Sequence, residues 1–397
     1  MALDKITITQ RDNSVDLPYI DEKQSASNGQ PVRFGNANDF PEFLYYMYKS
    51  SPTEQAIINN QIKYAYGAGF ENYDASIFMP NLFDTWEDFA HKLIVDYCIY
   101  GAFSIQIIPN EDLKSFSFFH TPVNQVRLGG YNAENKIEWA YIASDWSKIN
   151  GNNVIKMKVW GSEQPVEGES YLWYCKPYNP DELFYAIPQW YSAANWILAD
   201  IELSKYYLNY ISNNFSSNLS VAYPADVDED KKAEIYNMLS ASFGGASNAG
   251  NILLLFGDNG VLPTVNQIES VDADLYNSVS DIILKYIVSA NRLTSPVLAG
   301  LSTTAGFSSK SDEIIAAYTL YKLTVIDEIR NFISDKLNYL LTLNGKPRVL
   351  KFLDFDIRKE FEGETATNDQ IEEDRDNVNP DSENNEENIE EEQYDNK

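Results

Sequence analysis

A stretch of helical periodicity broken once by a glycine-, serine- and threonine-rich loop, residues 270–343, constrains this chain more than any other. Over residues 271–293 apolar side chains recur at Leu275, Val279, Ile282, Ile283, Tyr286, Ile287, Ala290 and Leu293, the three-and-four spacing of one helix face. Pro296 makes continuation costly, because its ring removes a donor and crowds the residue before it. Small residues dominate 299–306. Ser309 then stands three before Asp312, a capping-box spacing, with Asp312 and Glu313 at the positive end of the helix dipole. Ile315, Tyr318, Val325, Ile326, Ile329, Phe332, Ile333, Leu337, Leu340 and Leu341 keep helical period for roughly 30 residues, long for a globular helix. Gly345 and Pro347 stop it. On pattern alone this is a helical hairpin in a core, and residues 294–309 are the part expected to touch a substrate.

Before that hairpin, residues 1–35 are polar and turn-rich and read as an arm that orders on contact with something else. A short helix is expected over about residues 40–48. Ser51, Pro52 and Glu54 then supply the N-cap, first-turn proline and capping-box partner of a second, whose stripe is Ile57, Ile58, Ile62 and Ala65 and whose stop is Gly67. Gly69 and Phe70 lead into a possible strand. Thr85 with Asp88 opens a third helix carrying Phe89, Leu93, Ile94 and Tyr97. After Gly101 the period changes to two, with Phe103, Ile105 and Ile107 alternating with polar residues, and strands are expected at 115–120, 124–128, 136–143, 154–160 and 171–175. This predicts an antiparallel, densely aromatic α+β domain. A long amphipathic helix follows over about 188–215, with Ile197, Ile201, Leu208, Ile211 and Phe215 in register. A strand, helix, strand and strand unit occupies 219–223, 230–243, 251–256 and 261–267. Residues 348–355 alternate like one more strand, which would rejoin the earlier sheet domain.

The formal charge of −29 is unevenly spread: residues 360–397 hold 16 acids against Arg375 and Lys397, so −14 of it sits in a tail that reads as solvated and disordered. Hydrophobic residues at 44% say that most of the remainder folds. Two cysteines, Cys98 and Cys175, are too few for a disulfide framework and fit buried, inert thiols in a reducing compartment. Residues 1–12 carry no apolar signal core and no run of 18 apolar residues occurs, so a soluble chain with no membrane role is expected.

Signals for chemistry are few. His91 and His120 are the only histidines and neither has a partner at metal spacing, so no metal and no cofactor are expected. There is no nucleophile elbow, phosphate loop or dinucleotide fingerprint, and Gly244, Gly245 and Gly250 lack the lysine a phosphate loop needs. Asp354 and Asp356 lie two apart on the expected last strand, on one face, which is geometrically admissible for a glycosidase pair. Basic residues form no stripe that would grip nucleic acid, so any DNA contact is weak or transient.

The order of parts resembles that of tailed-bacteriophage portal proteins (head-to-tail connectors) over about residues 41–355. Ser51-Pro52 through Ala65-Tyr66-Gly67-Ala68-Gly69 looks like that family's opening helix and glycine turn. Tyr100-Gly101-Ala102-Phe103-Ser104-Ile105 resembles its "YGNAY" strand, and Thr121-Pro122-Val123-Asn124-Gln125-Val126 its "l-x-P-x-x-V" segment. Ala186-Ile187-Pro188-Gln189-Trp190 opens the long helix as a similar stretch does there. Leu293-Thr294-Ser295-Pro296-Val297-Leu298-Ala299-Gly300 is similar to "h-x-v-P-P-x-L-x-G", and Phe307-Ser308-Ser309 with Glu313 resembles the serine-led start of the last helix.

The resemblance implies a portal-like architecture: an N-terminal arm (1–38), a wing with an antiparallel sheet (39–180), stem helices (181–215 and 271–293) around a small α/β clip (216–270), a tunnel loop (294–309), a long wing helix (310–343), a wing strand (344–358) and the acidic tail (359–397). The family's helical crown would follow residue 355, where this chain is acidic and poor in apolar residues. The resemblance further implies a homo-oligomeric ring of about twelve subunits at one capsid vertex. Double-stranded DNA would pass through it non-specifically, facing Leu301, Ser302, Thr303, Thr304 and Lys310. The clip, with Asp226, Asp228, Glu229, Phe243, Asp258 and Asn259, would dock the large terminase and later the head-tail adaptor, and the ring would meet major capsid or scaffold protein. The location implied is the virion, assembled in the host cytoplasm, and no catalysis is expected. A dozen copies would carry on the order of −350 in formal charge, so a channel lined by part of it repels phosphates. Ser302, Thr303 and Thr304 could still make brief hydrogen bonds to phosphate oxygens, with Lys310 as one weak attraction per subunit. Two other readings stay open from sequence: another virion ring component, adaptor or scaffold-like, and an acidic glycan-active or glycan-binding protein.

Overall fold

Local signals at helix ends place the first third of the chain. The computed structural model describes residues 29–71, 79–110, 113–149, 153–180, 182–212, 220–224, 234, 253–257, 273–301 and 311–355. Helix α1 (Phe40–Ser50) runs into α2 (Pro52–Tyr66), where Ser51 Oγ accepts the Glu54 amide at 3.0 Å and a proline occupies the first turn. Helix α3 (Trp86–Tyr100) opens on a reciprocal capping box between Thr85 and Asp88, and Gly101 ends it in the left-handed region. Ile57, Ile58, Ile62 and Ala65 of α2 and Phe89, Leu93 and Ile94 of α3 are buried, as their spacing predicts.

Six strands follow: β1 (Phe103–Pro109), β2 (Phe116–Thr121), β3 (Val126–Leu128), β4 (Trp139–Ile142), β5 (Ile155–Val159) and β6 (Tyr171–Cys175). They form one sheet in the order β2-β1-β6-β5-β4-β3. The antiparallel expectation holds for every pairing but one, since β5 lies parallel to β6 through Lys158↔Tyr171 and Val159↔Leu172. The helix-facing side chains Phe103, Ile105, Ile107 and Phe118 have no exposure and join α2 and α3 in one core.

Residues 29–38 are not a free arm. Val32 and Phe34 have no exposure. The Val32 amide donates to the Leu128 carbonyl at 2.8 Å, and Phe34 stacks on Tyr185 with ring centroids 4.1 Å apart. Arg127, also fully buried, holds the same segment: Nε and Nη2 donate to the side-chain and backbone oxygens of Asn38 at 2.6 and 2.8 Å, and Nη1 to the carbonyls of Asn124 and Val126. Two apolar residues among polar ones are a weak sequence signal, and a tertiary partner decides their fate.

The second half begins with α4 (Ala194–Ser212), entered through a 3₁₀ turn at Gln189–Ala193, and continues with β7 (Ser220–Pro224) and β8 (Leu253–Gly257), which pair in parallel. A parallel pair needs a crossover rather than a hairpin. Helix α5 (Ala273–Ala290) packs on α4, with Tyr286 stacked on Trp196 at 4.4 Å. Its buried face, Ile283 and Ile287, is narrower than the periodicity suggests, because Val279, Ile282 and Tyr286 are 38 to 48% exposed. The final long helix is one rod with a fault in it: α6 (Ser311–Tyr321), a π turn at Lys322–Ile326, and α7 (Asp327–Leu343). Among the described residues, 348–355 do not join the six-stranded sheet. They pair instead with residues 68–71 through a Phe70↔Phe352 bridge and three backbone hydrogen bonds.

Candidate functional site

Of the loop that the sequence singles out, 294–309, the structure describes residues 294–301. Leu301 is half-buried, while Ser302, Thr303, Thr304 and Lys310 lie outside the described residues, as do the docking candidates Asp226, Asp228, Glu229, Phe243, Asp258 and Asn259. What the structure does define is how the loop is held. After α5 the chain turns at Arg292, a non-glycine residue with φ 54°, then makes a 3₁₀ turn at Pro296–Ala299 that Gly300 closes in the left-handed region.

Each step of that turn is tied to a different element. Asn291 Nδ2 donates to Glu54 Oε2 at 2.8 Å. Arg292 Nη1 donates to Gln189 Oε1 at 3.2 Å and Glu328 Oε2 at 3.1 Å, and its Nη2 to the Thr324 carbonyl within the π turn. Thr294 Oγ1 donates to the Ala317 carbonyl at 2.7 Å, which binds the outgoing side of the loop base to the incoming side. Tyr64, from α2, donates its hydroxyl to the Leu298 carbonyl at 2.7 Å. Leu298 and Ala299 are buried. π turns inside α-helices recur at functional positions because they offer irregular backbone to a partner, as Thr324 does here.

The middle of the rod is braced as firmly. Arg330, buried on α7, donates Nε to the Ala65 carbonyl at 2.9 Å and Nη2 to the Tyr64 carbonyl at 2.8 Å, and pairs through Nη1 with Asp354. Lys322 bridges Asp327 at 2.8 Å and Asp354 at 3.3 Å. Asp354 is thus a counter-ion to two cations, and Asp356, the other member of the pair considered from sequence, lies outside the described residues. A lone arginine inside the Ile329, Ile333, Leu337 stripe was the available signal, since a charge on an apolar face implies a buried partner.

The other chemical candidates are likewise engaged. His120 Nε2 lies 2.8 Å from Asp96 Oδ2, which also accepts the Val123 amide, and the His91 ring meets Tyr66 edge-on. Cys98 and Cys175 are buried and form no disulfide, and burial pushes both thiols far up, away from the thiolate form. Among the described residues no three His, Cys, Asp or Glu side chains converge as metal ligands. A cleft of about 640 Å³ crosses the sheet beside Gln106, His120, Gln125, Trp139 and Lys158. Its Lys158 is bound to Glu138 and Glu163, and its His120 to Asp96.

No family profile matches the chain, and no curated protein sequence does. Solved structures do match. A chain from the neck of a native gene transfer agent (GTA) particle, computed with C12 symmetry, superposes with a TM-score of 0.54 at 14% identity, covering 89% of this chain and 93% of that one. A chain from the neck of an empty GTA particle, computed with C6 symmetry, gives 0.52 at 15% identity over 90% and 93%. An HK97-family phage portal protein from Corynebacterium diphtheriae aligns with 74% of this chain at 12% identity and a TM-score of 0.37. The likeness to the neck chains is one of fold across nearly the whole length.

Proposed function

We propose that this chain is a portal-type virion protein: a ring at one capsid vertex that conducts double-stranded DNA during packaging and ejection and docks the packaging terminase and then a tail adaptor. The observation that carries this reading is the fold shared over about nine-tenths of the chain with neck chains of a particle solved in C12 and C6 symmetry. The braced base of the 302–310 segment supports it, because a loop that touches moving DNA needs an anchored root. In this reading Leu301, Ser302, Thr303, Thr304 and Lys310 face the duplex, and residues 216–270 form the docking surface. The protein acts without chemistry of its own and belongs in the virion. Among the described residues no helix is long and apolar enough to cross a membrane.

The test is the mass and shape of the purified full chain. A monodisperse particle of about twelve times the 45.2 kDa chain mass, with a central hole in negative stain, is the expected result. A stable monomer under packaging-like salt overturns it.

A further inference from the structure

The first turn of α2 is where α4 and the end of α5 are fastened. From α4, Asp200 Oδ2 accepts the Ser51 hydroxyl at 2.6 Å and the Thr53 amide at 3.4 Å. From the end of α5, Asn291 Nδ2 donates to Glu54 Oε2 at 2.8 Å while also donating to the Ile287 carbonyl at 3.1 Å. The N3 position of Glu54 predicts a capping-box side chain reaching back to Ser51. Its carboxyl instead turns into the core, where the residue has no exposure.

That carboxyl is poorly provided for as an anion. Oε2 has one neutral donor, Asn291, and Oε1 has no hydrogen-bond partner among the described residues. The elements around it bring Asn291 from α5 and Asp200 from α4, and the charge acting on it is the negative one of Asp200. Burial first, and Asp200 second, push the Glu54 carboxyl up to about 8, with the Asn291 hydrogen bond opposing them in part. A protonated acid at this place avoids both costs.

We propose that Glu54 is a proton-operated fastener joining α2 to α4 and α5. Protonated, it keeps Asn291 and the last turn of α5 seated. Ionised, it keeps the Asn291 donor but is a dry charge beside Asp200, so the junction opens to water at that turn, together with Arg292 and Thr294, the residues that root the following loop. The inference rests on the described junction and does not depend on the channel reading.

The sign follows from linkage. A carboxyl in the released state titrates near its ordinary 4.5, and in the seated state near 8. Between those values the released state holds fewer protons, so release becomes about tenfold more populated per pH unit and levels off above about 8.

Hydrogen exchange of the full-length protein, corrected for intrinsic rate, reads this directly. Amides of residues 286–293 are expected to open about tenfold more per unit between pH 6 and 8 in the native chain, and without pH dependence in Glu54→Gln. Equal pH profiles for the two proteins overturn the proposal. Difference infrared spectra of the unmodified protein need no variant. One carboxylic C=O band per chain is expected to vanish as pH passes about 8, and its absence at pH 7 overturns the proposal. In Asp200→Asn the midpoint of that band moves to lower pH because the repulsion is gone; an unmoved midpoint refutes the role given to Asp200.

Discussion

Gly67 and Gly345 share a positive φ, at 63° and 65°, yet they stand in opposite surroundings. An alanine Cβ at Gly345 meets nothing within 4 Å, so Gly345→Ala carries only the backbone cost, about 1 kcal/mol. At Gly67, ψ is −137°, a combination that costs a non-glycine residue about 1–3 kcal/mol. A Cβ there also overlaps the Leu353 carbonyl oxygen and Arg330 Nη2. Since the first of these is backbone, the 351–353 segment must lift. Lifting it breaks Ala68 N to Leu353 O at 3.0 Å, Leu353 N to Gly69 O at 2.8 Å and Glu71 N to Lys351 O at 2.8 Å, each worth about 1 kcal/mol. Gly67→Ala is therefore expected to destabilise by about 4–6 kcal/mol, against about 1 for Gly345→Ala. Urea unfolding followed by tryptophan fluorescence at matched protein concentration measures both. Losses equal within about 1 kcal/mol would refute the view that residues 348–355 are clamped to the end of α2.

Arg127→Met keeps the volume of the side chain but leaves the Asn38, Asn124 and Val126 oxygens without their donor, so a stability loss of about 3–5 kcal/mol is expected in the same urea assay. Thr294→Val removes the hydroxyl from the Ala317 carbonyl. It should cost about 1 kcal/mol and raise hydrogen exchange at the start of α6, with unchanged exchange arguing against the tie. Cys98 and Cys175 should stay unmodified by a thiol-reactive aromatic disulfide at pH 8 and both react in denaturant; native-state labelling of either contradicts their burial. Replacing Ser302, Thr303 and Thr304 by tryptophan should leave ring assembly intact while lowering the DNA packaged per particle, and full packaging would remove the loop from the channel.

Helix ends were read well from the chain because their determinants are local. Ser51, Thr85 with Asp88, and Gly67 each act on amides or carbonyls within a few residues, and the structure uses them as the sequence suggests. The strands too were visible as alternation, but alternation assigns faces and not neighbours, so the parallel contact of β5 with β6 was not. Nor was the partner of residues 348–355. Glu54 shows the limit most plainly: its local position says capping box, while a donor 237 residues away in Asn291 takes the carboxyl inward. Around the loop root, Arg292 and Arg330 act through backbone carbonyls of other helices, and no spacing rule in a single chain points to such partners.

The π turn at Lys322–Ile326 also sets how the chain can change length. It closes over one residue more than an α turn, which amounts to about 100° of helical phase between α6 and α7. Removing one residue there, such as the exposed Thr324, would let the rod become a regular helix while swivelling α6 on α7 by that angle. Tyr318 and Tyr321 would leave the core, and the outward-facing Leu320 and Leu323, now 54 and 65% exposed, would swing toward it. A single-residue insertion at this point in an ancestral straight helix would have rotated everything mounted on α6, the end of the loop included, without altering α7 or the core it packs against. The fault in the rod works as a one-residue indexing step, through which the direction of the loop could be reset while the fold beneath it stayed the same.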